Sequence, residues 1–308
     1  MDIPKLSTPA QIFLYHTPTT GDAGVFDFRR EKWVFSGGAV TFNPWYRYND
    51  GVPDCGKAYT PTVTGNYALY KSFSFPSDLP VSASVKKLIV LIHGWNPDEM
   101  ENPYKGYGWP DLIVRLDAWV NAHPDWTVLA YNWAEDAATG PILDTSQGGL
   151  NLLANAIRNG TQAAEISHQH GLRLGPLLAS KLPNLEKIQF IAHSAGTWNA
   201  RAAAVYLSRN CLSIRIQITL LDPYIPGEAP DTASSCTIGR VNQLATLAHM
   251  VLLENYYYSN DVPGTQSVFS WRGDDINRKL GSSLLPNPYN HMAPIKWYAD
   301  TIGDTAID

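Results

Sequence analysis

Cysteine is scarce in this 308-residue chain: Cys55, Cys211 and Cys236 are all it has. Three scattered thiols exclude a disulfide-stapled scaffold and a cysteine-rich zinc module, and leave room for at most one disulfide beside a free thiol. Charge is thin as well. Charged residues make up 17% of the chain, and 23 Lys and Arg against 28 Asp and Glu give a net −5. That balance argues against general nucleic-acid binding, which needs a basic face to neutralise phosphates. No apolar run approaches the roughly 18 residues of a membrane-spanning helix. The opening Met1-Asp-Ile-Pro-Lys5 lacks the charged start and apolar core of a signal peptide. The sequence as written therefore reads as cytoplasmic, or as secreted with its leader removed. Repeats, low-complexity tracts and charge runs are missing too. His168 and His170 lack the i, i+4 spacing of a helical metal pair, and no metal or organic cofactor is expected.

What is present is a large apolar fraction, 44%, with 10 Trp, 16 Tyr and 22 Pro. This is enough for one sizeable core with a loop-rich, aromatic surface. Residues 1–308 are expected to form a single α/β domain, in which 1–85 is an integral β-rich segment and 86–308 the α/β core. In the first part, short β-prone runs such as Lys32-Trp-Val-Phe35 and Asn66-Tyr-Ala-Leu-Tyr-Lys-Ser-Phe-Ser-Phe75 alternate with Gly and Pro clusters. Trp33, Phe42, Trp45 and Phe73 are expected to be buried there. After residue 85 the texture becomes strand, helix, strand. Leu88-Ile-Val-Leu-Ile92, Trp126 to Tyr131, Lys187 to Ala192, Ile214 to Leu221 and Met250 to Tyr256 read as strands. Helices are expected from Asp111 to Val120, over one or two stretches from Leu150 to about Leu182, from Thr197 to Tyr206, and from Ile295 to Asp300. Alternation of this kind requires crossovers and a mostly parallel sheet flanked by helices, with the ligand beyond the carboxyl ends of its strands.

Those strand ends carry the chemistry. Ala192-His-Ser-Ala-Gly196 is a nucleophile-elbow pattern with Ala in place of the first Gly. A turn this tight needs small side chains two before and two after the serine, and it sets Ser194 beside the free N–H groups of a helix start. The first apolar strand ends in His93-Gly94-Trp95. There the N–H of Trp95 is expected to join that of Ala195 as the pair of donors an oxyanion requires. A serine nucleophile needs a histidine base, and the order in this kind of fold is Ser, then acid, then His. His249 lies in an apolar stretch and reads as a core or helix-face residue. His291, in the turn-rich Asn287-Pro-Tyr-Asn-His-Met-Ala-Pro294, is the expected base, on a loop. His193 reads as structural. The acid is open between Asp222, closing Ile216 to Leu221, and Asp261, one strand later; strand order alone favours Asp261. His93, Tyr104 and Trp109 are expected to border the substrate pocket, the last two from an aromatic loop over 96–110.

Leu91-Ile-His-Gly-Trp-Asn96, Leu129-Ala-Tyr-Asn-Trp133, Ala192-His-Ser-Ala-Gly196 and Thr219-Leu-Leu-Asp-Pro-Tyr224 together resemble the α/β-hydrolase superfamily, and within it the pancreatic-lipase-like branch. Asn155-Ala-Ile-Arg158 also looks like that branch. The likeness spans roughly residues 85–300. It implies an α/β-hydrolase fold and a serine esterase or lipase acting on a small ester or lipid, without a cofactor. In that branch the Leu-Asp-Pro motif carries the triad acid, one strand earlier than in most of the superfamily, which implies Asp222. Neither the paired-cysteine lid nor the following β-sandwich domain of the branch is expected from these residues. Hydrolysis of thioesters or lactones, or a non-catalytic binding role on the same fold, are the alternatives.

Overall fold

Apolar side chains at every position from Leu88 to Ile92 demand cover on both faces of a strand, and the fold supplies it. The structure, a computed structural model, describes residues 11–16, 30–32, 79–98, 100, 102–140, 149–211, 213–225, 249–259, 276–282 and 288–303. Its strands are β1 (Gln11–His16), β2 (Arg30–Lys32), β3 (Lys87–Ile92), β4 (Trp126–Asn132), β5 (Lys187–His193), β6 (Arg215–Leu221), β7 (Met250–Ser259) and β8 (Ile276–Ser282). Its helices are α1 (Trp109–Ala122), the single turn α2 (Ala134–Ala137), α3 (Gly149–Lys181), α4 (Thr197–Asn210) and α5 (Pro288–Thr301).

All eight strands form one sheet in the order β2-β1-β4-β3-β5-β6-β7-β8. The six from β4 to β8 are parallel to one another, and β1 is antiparallel to β4 and β2 at one edge. The fold is the α/β architecture expected from the sequence. Alternation along β3 divides the core: Leu88, Val90 and Ile92 join the cluster that includes residues of α3 and α4, while Ile89 and Leu91 join the one that includes residues of α1 and α5. Helix α1 shows why its residues fold as they do. Pro110 occupies its first turn, and Trp109, Leu112, Ile113, Leu116 and Val120 fall on one buried stripe at helical spacing. Each fully buried side chain of this kind is worth roughly 1.5–3 kcal/mol of transfer free energy.

The one or two helices expected from Leu150 to about Leu182 are a single 33-residue helix, α3. Other expectations are corrected. Strand β8 was not anticipated, because Ile276 to Lys279 are all exposed and show no apolar alternation. His291 does not lie in a loop. Helix α5 begins at Pro288, whose fixed φ suits a first helical position, and so includes it. His249 is neither core nor on a helix; it is exposed, at φ 66°, just before β7. The runs 33–35 and 66–75, the aromatics Trp33, Phe42, Trp45 and Phe73, and Cys55 and Cys236 lie outside the described residues. Cys211 is a partly buried free thiol, its pKa raised by that burial. Among the described residues no helix is long and apolar enough to cross a membrane.

Candidate active site

The chain leaves β5 at His193, makes one tight turn over Ser194–Gly196 and enters α4 at Thr197. Ser194 sits at φ 53°, a left-handed conformation uncommon for a side-chain-bearing residue and concentrated at functional sites. The small residues of the motif have a direct cause. A Cβ on Gly196 would lie 2.6 Å from the carbonyl oxygen of His93 and 2.8 Å from that of Ile92, both rigid backbone. The elbow therefore rests on the end of β3.

Three side chains distant in sequence meet there. His291 Nε2 lies 2.8 Å from Ser194 Oγ, and His291 Nδ1 lies 2.6 Å from Asp222 Oδ2. Asp222 is fully buried and adopts φ 48°, which an acidic side chain tolerates better than most. Its second oxygen, Oδ1, accepts a hydrogen bond of 2.9 Å from the backbone N–H of Tyr258, and its own N–H donates to Tyr256 O at 2.7 Å. A carboxylate acceptor at Nδ1 puts the ring proton on that nitrogen and leaves Nε2 free to accept from the serine hydroxyl. Of the two acids left open by the sequence, Asp222 bonds His291; Asp261 lies outside the described residues. The Tyr258 contribution was missed, since a backbone donor on β7 leaves no sequence signal.

The turn after β3 lies against the elbow. A Cβ on Gly94 would stand 2.7 Å from Ser194 Cβ, so only glycine lets this backbone approach so closely. His93 organises the turn. Its Nδ1 lies 2.8 Å from Gly94 O, its Nε2 accepts from Trp133 N at 3.0 Å, and its ring stacks on Trp133 with centroids 5.4 Å apart. Burial pushes its pKa down from 6.5 to about 4, so the ring is neutral and its one proton sits on Nδ1. Because Nδ1 holds the Gly94 carbonyl, the N–H of Trp95, in the same trans peptide plane, is directed the opposite way. Asn96 anchors the next residues: its Nδ2 donates to Met100 O and Ala134 O, and its Oδ1 accepts from Met100 N. Ala195, the residue after Ser194, is buried within the turn that leads into α4.

The aromatic loop behaves differently from expectation. Asn102 Oδ1 accepts from Tyr104 N at 3.1 Å, and in that turn the Tyr104 side chain faces the core, where it is 2% exposed. The Tyr104 hydroxyl donates to Leu91 O or Tyr131 O, both at 2.8 Å, and accepts from His93 N at 3.1 Å. Trp109 is 1% exposed and meets Tyr104 edge-on at 4.9 Å. Tyr104, Trp109 and His93 are thus buried supports of the strand ends rather than a free pocket wall. Behind them a second polar group is fully internal: His170 Nε2 lies 3.0 Å from Asp136 Oδ2, and its Nδ1 lies 2.8 Å from the Tyr131 hydroxyl.

No protein-family model matches this chain, and no curated protein matches it. Among solved structures it is similar to a histone deacetylase from Saccharomyces cerevisiae at 12% identity and a TM-score of 0.33, over 72% of this chain and 81% of the other. It is also similar to the siderophore hydrolase EstA from Aspergillus nidulans at 12% identity and a TM-score of 0.32, over 70% of this chain and 83% of the other.

Proposed function

We propose that this protein is a serine carboxylic-ester hydrolase of the α/β-hydrolase type. The observation that carries the reading is the unbroken line from Ser194 Oγ through the His291 ring to Asp222, whose carboxylate is buried and held from behind. In this reading Ser194 attacks the ester carbonyl while His291 Nε2 takes its proton. The negative charge of the tetrahedral intermediate falls to the backbone N–H groups of Trp95 and Ala195, the two flanks of the Gly94–Ser194 contact. His291 then protonates the leaving alkoxide, and water repeats the sequence to release the acid and free the enzyme. Asp222 keeps the proton on Nδ1 and stabilises the imidazolium. The position of the acid at the end of β6 supports the pancreatic-lipase-like branch, whose Leu-Asp-Pro motif matches Leu221-Asp222-Pro223.

The test is hydrolysis of p-nitrophenyl esters of increasing acyl length by wild type beside Ser194→Ala. Turnover by wild type and its loss in the variant are expected, and the acyl-length profile separates esterase from lipase behaviour. A lactone and a thioester in the same series address those leaving groups. Wild-type rates no higher than those of Ser194→Ala on every substrate would overturn the proposal.

A further inference from the structure

The proposed mechanism gives no work to His193, yet this residue makes the most direct link between the nucleophile's strand and the base's helix. Its Nε2 lies 2.9 Å from the main-chain carbonyl oxygen of His291, which can only accept, so Nε2 carries a proton and donates it. The two rings are close, with centroids 4.6 Å apart. Trp109 meets the His193 ring edge-on at 6.4 Å, and the imidazole is 4% exposed. Burial and the neighbouring His291 hold the His193 pKa well below the usual histidine range. A neutral imidazole has one N–H, and here that N–H is committed to the His291 backbone.

We infer that His193 is a positioning residue for the general base: it fixes the main chain of His291 and thereby the distance of that ring from Ser194 and Asp222. The inference rests on the esterase reading of the site. Register explains why this one position can do it. Residues 189, 191 and 193 share one face of β5, while 291, 295 and 298 share one face of α5. Three matching levels result. His193 bonds the His291 carbonyl, Ile191 and Ile295 belong to the same buried cluster, and Gln189 Nε2 donates to the Tyr298 hydroxyl at 3.0 Å. The uppermost level matters most for chemistry, because the helix is weakest there. Pro294 lies inside α5 and has no N–H to offer the carbonyl of Asn290, so the turn that carries His291 lacks one intrahelical bond. A tether from β5 supplies restraint that the helix itself does not. It comes from the residue immediately before Ser194, so nucleophile and base are referred to one rigid strand end.

The experiment compares wild type with His193→Phe, which keeps a ring but loses the donor, and with His193→Gln, whose amide nitrogen reaches about as far as Nε2. In His193→Phe, kcat for p-nitrophenyl ester hydrolysis is expected to fall on the order of 10²-fold with KM little changed, the scale of a small misplacement of a catalytic group. His193→Gln is expected to recover most of that loss. The downfield proton resonance of His291 Nδ1–H should shift or broaden in the Phe variant and return in the Gln variant. Nitrogen-15 shifts of unaltered protein should show His193 as the neutral Nε2–H tautomer, a measurement independent of whether the Phe variant folds. Wild-type kcat in His193→Phe, equal losses in Phe and Gln variants, or an Nδ1–H tautomer at His193 would each overturn the inference. If the protein turns over no ester at all, the esterase reading fails instead, and the His291 resonance and the His193 tautomer still decide whether the tether exists.

Discussion

Asp222→Asn isolates the role of the acid with little else disturbed. Asparagine is nearly the same size and tolerates the φ of 48° at this position, whereas a branched residue would be strained there. The difference lies in hydrogen bonding. In the native protein both carboxylate oxygens accept, Oδ2 from His291 Nδ1 and Oδ1 from Tyr258 N–H. The amide can offer an oxygen to only one of them. If that oxygen faces Tyr258, the NH₂ group faces Nδ1, which must then become an acceptor; the ring proton moves to Nε2 and points at the Ser194 hydroxyl it should deprotonate. If the amide turns over, two N–H donors meet at Tyr258, and a buried backbone donor is left unsatisfied at about 1–3 kcal/mol. The second arrangement is disfavoured by that amount, so the wrong tautomer prevails. The expected loss is on the order of 10⁴ in kcat, the cost of the same change in serine-protease triads, equivalent to about 5.5 kcal/mol of barrier. Steady-state ester hydrolysis is the assay, with circular dichroism and thermal melts to show that the variant is folded. A folded Asp222→Asn protein retaining a tenth or more of wild-type kcat would refute the reasoning. So would Asp261→Asn as the variant that loses activity.

Stability should fall with acid. Because the folded pKa of His93, about 4, is below the unfolded value of 6.5, its contribution is complete above pH 6.5 and is lost as pH drops toward 4. Urea melts from pH 7 to pH 4 should show a loss of roughly 3 kcal/mol from this residue, and His93→Gln should flatten the curve by about that amount; identical slopes would rule the assignment out. Gly94→Ala places a Cβ 2.7 Å from Ser194 Cβ, and the displaced turn should cost about 10²–10³ in kcat, the scale of losing one oxyanion donor; normal kinetics would count against a hole at this turn. Tyr104→Phe strips a hydroxyl from two buried carbonyls and should cost about 1–3 kcal/mol of stability, with KM unchanged across an ester series. A KM that follows acyl length in that variant would restore Tyr104 to the pocket wall. A chain beginning at residue 84 loses β1 from the edge beside β4 and should be insoluble or inactive, whereas normal turnover would show residues 1–83 to be dispensable.

The parallel sheet and the elbow motif around Ser194 were legible in the amino-acid order alone. A strand covered on both faces is apolar along most of its length, so β3 announces itself locally, as does β5 despite its buried Gln189; the elbow is a recognisable five-residue motif, although what excludes a Cβ at Gly196 is the backbone of β3. Strand β8 carried no such signal, because an exposed edge lets Asn277, Arg278 and Lys279 stand where an inner strand requires apolar residues. The aromatic content of the loop before α1 was plain in sequence, but the direction its side chains face was not. The Tyr104 N–H donates to Asn102 Oδ1, and in that turn the Tyr104 side chain faces the core. Two aspartates, Asp222 and Asp261, stand near strand ends, and the order of residues does not choose between them. Only packing decided that Asp222 reaches His291, 69 residues along the chain, and that Tyr258 holds it from behind. Spacing reports which face of an element is buried; proximity between elements is set by how α5 seats on the sheet. That seating brought His193 into contact with the His291 backbone.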